Sequence, residues 1–141
     1  MYSTYADLIK VHDEQYLIQL SDDNGDGIAD TSVIDEAIAQ ADAEINARIA
    51  NRYAVPMNPV PALATSLSAK LAVGYLYGHR GTNRPDTVKE DMAATIKLLD
   101  RIGEGKAGWG EAILPEPDTT TLDVRITSQI RIFNRTSMSD F

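Results

Sequence analysis

Four aspartates, two glycines and an asparagine crowd into the nine residues from Asp22 to Asp30 in the stretch SDDNGDGIAD. Oxygen-bearing side chains at alternate positions are what a hard cation needs, because calcium is held by several oxygens that a tight loop brings together. Counted from Asp22, the ligands of an EF-hand-type loop fall on Asp22, Asn24 and Asp26 at positions 1, 3 and 5. Gly27 makes the sharp turn at 6, the Ile28 carbonyl stands at 7, and Asp30 at 9. Position 12 calls for a bidentate glutamate and is Val33. Two readings stay open. One is a weak calcium site on Asp22, Asn24, Asp26, Ile28 and Asp30, which would make the protein a calcium-binding helical interaction module. The other is a turn whose Asp and Asn side chains bond nearby backbone amides, with Gly25 and Gly27 at positive φ. Neither requires a cofactor for the chain as a whole.

The rest of the chain offers little to a reaction. There is no cysteine, so thiolate chemistry and disulfides are excluded. His12 and His79 sit at helix ends with no His-x-x-x-His or Glu-x-x-His spacing, and no serine lies in a Gly-x-Ser-x-Gly elbow. Both histidines read as ordinary polar helix-end residues. The carboxylates Asp42 with Glu44, and Glu90 with Asp91, read as solvated helix faces. Gly103, Gly105, Gly108 and Gly110 follow no strand and lead into no Gly-Lys-Ser/Thr step, so they read as a hinge rather than a phosphate loop. The chain is expected not to be an enzyme.

The elements that would position these residues are mostly helical. Ser3 or Thr4 caps one or two short helices within residues 3–20. Ile34, Ile38, Ala41, Ile45 and Ile49 recur at three- and four-residue steps and predict a long helix over about 32–53, capped by Thr31 or Ser32, with Asp35 and Glu36 in its first turn. Pro56, Pro59 and Pro61 impose an extended connector. A third, central helix follows from Pro61 through Leu63, Leu67, Leu71 and Leu76, and a fourth from Asp86 through Val88, Met92, Ile96, Leu99 and Ile102. Beyond the glycines, Leu122, Val124 and Ile126, then Ile130 and Ile132, alternate with polar residues as a strand does, but no other strand exists in the chain to receive them. The expected fold class is mainly α: a small bundle of four to five helices with an extended C-terminal tail that can form β-strands with a partner. The boundaries are a helical domain at 1–104, a Gly/Pro-rich hinge at 105–121 and a docking tail at 122–141.

With 21 acidic against 13 basic residues the net charge is −8. No Lys/Arg run supplies the phosphate-neutralising patch that nucleic-acid affinity depends on. No apolar run approaches the roughly 20 residues needed to cross a bilayer, and the N-terminus lacks the order of a secretion signal, so no membrane partner is expected.

The order of segments resembles the Mu-like bacteriophage neck-protein family. The similarity runs through YADLI, LIQLSDDNGDGIAD, VIDEAIAQADAEINARIANRYAVP and VPALATSLSAKLAVGYLY, and more loosely through the tail RIFNRTSMSDF. The resemblance implies a head-tail adaptor, also called a head-completion or connector protein. Such a protein would be made in the bacterial host cytoplasm and built into the virion neck. It implies a homo-oligomeric ring, commonly twelvefold, beneath the portal protein, with a stopper or tail terminator on the tail side and DNA passing through without being specifically bound. The tail would then do the docking. Leu122, Val124, Ile126, Ile130, Ile132 and Phe133 are its apolar contacts, Arg125, Arg131 and Arg135 its charge-paired ones, and Phe141 an anchor.

Overall fold

The computed structural model describes residues 1–110. Among them run five helices: α1 (Tyr5–Val11), α2 (Glu14–Ser21), α3 (Thr31–Ile49), α4 (Ala62–His79) and α5 (Asp86–Gly103). The mainly α bundle expected from periodicity is what forms, and no strand occurs among the described residues. The alternating tail lies outside them.

Local sequence sets most helix starts. Thr4 precedes α1, and the Asp7 carboxylate accepts from both the Thr4 backbone N–H (3.0 Å) and its hydroxyl (2.8 Å), satisfying donors that the helix itself leaves orphaned. Asp13 caps α2 by accepting from the Gln15 N–H at 2.9 Å. Pro61 and Pro85 stand immediately before α4 and α5, where a missing N–H costs nothing.

The third helix differs at both ends from its expected span. Asp30, not Thr31 or Ser32, holds the N-cap position but makes no cap bond, since its carboxylate accepts instead from the Asp23 N–H (2.9 Å). Asp35 and Glu36 therefore fall in the second turn. The helix stops at Ile49 rather than near 53: the Arg52 N–H tightens onto the Ile49 carbonyl three residues back, and the Tyr53 ring is buried in the core. The connector beyond carries cis peptides at Val55-Pro56 and Asn58-Pro59, with Met57 buried between them.

The core sits around α4, which packs against each of the other four helices. Ala64, Leu67, Ala69, Leu71, Ala72, Val73 and Leu76 are all buried, so this helix has almost no solvent face, as a central helix should. Ile34, Ile38, Ala41, Ile45 and Ile49 of α3, with Leu99 and Ile102 of α5, close the core on either side. Each fully buried large aliphatic contributes about 1.5–3 kcal/mol. Two glycines set how closely helices approach. A Cβ on Gly103 would lie 2.3 Å from the Arg48 carbonyl oxygen, so α3 and α5 meet backbone to backbone at their C-terminal ends. A Cβ on Gly74 would meet the Met92 sulfur at 2.1 Å.

Past Gly103 the chain first turns back. The Lys106 and Ala107 N–H groups both bond the Arg101 carbonyl, and Trp109 is 3% exposed, edge-on to Tyr53 at 6.1 Å. The glycine-rich stretch expected to open the hinge thus begins against the core. Most of the hinge and the whole docking tail lie outside the described residues.

Candidate functional site

In the acidic loop every expected metal-ligating side chain is engaged with the chain itself. The Asp22 carboxylate accepts from the N–H groups of Gly25 (2.6 Å), Asp26 (3.2 Å) and Gly27 (2.8 Å). These bonds, the Gly27 one foremost, hold its carboxyl below the usual carboxylate range. Asn24 Oδ1 accepts from the Asp26 N–H and Asp26 Oδ1 from the Ile28 N–H, while Asp30 takes the Asp23 N–H and the Asn24 amide. Gly25 and Gly27 adopt φ of 79° and 80°. The loop is a turn that caps its own backbone. Asp22, Asn24, Asp26, Ile28 and Asp30 are brought into one loop, but among the described residues no group of three or more acidic or histidine side chains is arranged to hold a metal ion. A cation would have to draw Asp30 off the Asp23 amide.

The loop is seated on the end of α4. Asp23 receives His79 Nε2 (3.0 Å) and Arg80 Nη1 (3.1 Å), and Arg80 also donates to the Asp22 carbonyl (2.9 Å). His12, at the end of α1, pairs with the Tyr77 hydroxyl at 2.8 Å and stacks on its ring. Both histidines are at helix ends as expected, and each ties its own helix end to another segment.

A second polar cluster was not anticipated. Asp42 is no solvated carboxylate: its side chain is only 14% exposed, and it accepts from the Tyr2 N–H (2.8 Å) and the Ser68 hydroxyl (2.7 Å). Ser68 Oγ lies 2.8 Å from Ser3 Oγ, the Tyr2 hydroxyl donates to Asn46, and the Met57 N–H donates to that same hydroxyl at 2.9 Å. Tyr2 and Ser3, ahead of α1, are thereby strapped across α3 and α4. Burial pushes the Tyr2 hydroxyl up from its ordinary value. One signal for this was present, since Asp42 lies four residues after Ile38 and three before Ile45, on the buried side of α3.

Ser3 and Ser68 are shut away from solvent, and neither histidine is bonded to a serine or threonine hydroxyl among the described residues. Other charges tie helices together: Arg48 joins Glu44 of its own helix to Asp100 of α5, and Lys70 of α4 faces Asp91 of α5 at 3.6 Å. No helix among the described residues is long and apolar enough to cross a membrane. The expected portal-docking residues Leu122, Val124, Arg125, Ile126, Ile130, Arg131, Ile132, Phe133, Arg135 and Phe141 lie outside the described residues.

Comparison with known proteins gives a consistent picture. The sequence model of the family described as "Bacteriophage Mu, Gp36" matches residues 2–127. The chain is 27% identical over 81 residues to "Mu-like prophage FluMu protein gp36" of Haemophilus influenzae, a match covering 57% of this chain and 55% of that protein. It therefore spans about half the length of that relative. It is 28% identical over 114 residues to "Gene product J" of Escherichia phage Mu, covering 78% of this chain and 77% of that one.

Proposed function

The chain belongs to the bacteriophage Mu Gp36 family, and from that premise we propose that it is a structural, non-enzymatic head-tail adaptor of the virion neck. On this reading copies form a ring, twelvefold in the simplest case, beneath the portal protein. Residues 122–141 reach out to the portal, and a stopper or tail terminator binds the opposite side. The observation that carries the reading is a family match running from Tyr2 through Thr127, across the whole bundle and into the alternating segment. The bundle supports it, because its best-placed polar groups are spent on fixing its own segments in place rather than on a substrate. A protein that transmits load between larger assemblies needs that rigidity.

The net charge of −8 fits a channel component. Acidic groups facing passing DNA repel its phosphates, so the duplex slides instead of adhering.

Deleting residues 111–141 tests the docking step. The expected outcome is a folded helical domain by circular dichroism that no longer joins portal-bearing heads to tails. Normal joining by that truncation would remove the tail from the proposal, and virion necks lacking a ring of this protein in electron micrographs would remove the adaptor role.

A further inference from the structure

Charge is unevenly placed on this molecule. Around the start of α3 stand Glu14, Asp26, Asp30, Asp35 and Glu36, none with an ion-pair partner among the described residues. The other end of α3 is about 28 Å away, at 1.5 Å per residue over its 19 residues. There Arg52 lies over Gly105, and Lys97 and Arg101 stand on the last turns of α5; these three likewise lack an ion-pair partner among the described residues. Opposing the helix dipole accounts for the signs of the charges nearest the helix ends. It does not account for what lies between the carboxylates.

Tyr5, Ile18, Ile28 and Ile34, together with the carboxylates Glu14 and Asp35, line a cleft of about 340 Å³. Ile28 is 67% exposed there. An isolated surface isoleucine is unremarkable, but an apolar cleft bordered by uncompensated carboxylates has the make-up of an interface: an apolar centre and a charged rim.

We propose that this cleft is the docking surface for a second copy of the chain, which presents the basic end of its own α3 and α5, with Arg52, Lys97 and Arg101 facing Glu14 and Asp35. The inference rests on the ring-forming adaptor reading and names the contact such a ring would use. Charge complementarity selects the occupant. A self-complementary contact through the cleft would lay carboxylates on carboxylates, whereas two different patches of opposite sign meet head to tail, the heterologous geometry from which rings are built.

The test uses the full chain and its lack of native cysteine. Sedimentation at low salt should show self-association that weakens by roughly tenfold or more at high salt. Arg52→Glu with Arg101→Glu, and separately Glu14→Lys with Asp35→Lys, should each abolish it. An equimolar mixture of the two variants should restore it, because each then offers the other an opposite patch. In the Ile28→Cys, Arg101→Cys double variant a flexible bismaleimide should give a ladder of dimers, trimers and higher species that neither single variant gives.

A wild-type chain that stays monomeric at low salt overturns the proposal. So do reversed variants that associate normally, a mixture that stays monomeric, or dimers from Ile28→Cys alone. These results leave the adaptor reading standing, since that reading fails only on virion necks without a ring or on head joining that does not need the protein.

Discussion

The acidic loop and the clasp around Asp42 are built from the same chemistry, carboxylates accepting hydrogen bonds from amides and hydroxyls, yet they do different work. In the loop the bonds to carboxylates run between residues two to seven apart on an exposed surface, and only the contacts to His79 and Arg80 reach another element. In the clasp the bonds to Asp42 join residues 26 and 40 apart, and the Ser3–Ser68 and Met57–Tyr2 bonds beside them span 65 and 55, in part-buried and buried surroundings. A hydrogen bond in water replaces one to solvent and contributes little, whereas a buried polar group deprived of its partner costs its full desolvation. The conspicuous motif therefore shapes a turn, and the inconspicuous one holds the fold.

That contrast can be broken by substitution. Asp42→Ala leaves the Tyr2 N–H and the Ser68 hydroxyl without their acceptor in a largely buried place, and should cost about 2–4 kcal/mol in chemical denaturation. A loss no greater than that of an exposed loop aspartate would erase the distinction. Asp22→Asn should lower the unfolding midpoint by less, and its effect should depend on pH in a particular sense. The Asp22 carboxyl is held below its ordinary value in the folded chain, so its contribution is present above the unfolded-state pKa and is lost as pH falls through the lower folded one. The difference between wild type and Asp22→Asn should then be largest at neutral pH and shrink as the pH falls below the ordinary carboxylate range. A gap of constant size would mean that the carboxylate's bonds to the Gly25, Asp26 and Gly27 amides contribute nothing. The smallest expected effect is that of calcium. A loop that spends its oxygens on its own amides predicts no rise in melting temperature at millimolar calcium, and a rise abolished by Asp26→Ala would make it a cation site after all.

Much of the fold was legible because its causes are local. The isoleucine spacing of α3, the prolines before α4 and α5, and the apolar run of α4 each act within a few residues, and the corresponding helices form near their expected places. The end of α3 was misjudged because what stops it is tertiary: burial of the Tyr53 ring, which no short-range signal announces. The clasp was missed for the same reason. Tyr2, Ser3, Asp42, Asn46, Met57 and Ser68 are scattered over more than half the described chain, and only packing of α3 against α4 brings them together. Asp42 alone carried a local signal, a carboxylate in register with the buried isoleucines of α3.

The sole tryptophan of the chain sits where the described bundle gives way to the remaining residues. Its ring is buried and lies edge-on to Tyr53, so closing this place takes the indole out of water. The junction is a seam closed by ring packing and by the amides of Lys106 and Ala107, and it comes with its own dye: one emission band, blue while the seam is shut and red once water reaches the ring, follows this place and no other in the molecule.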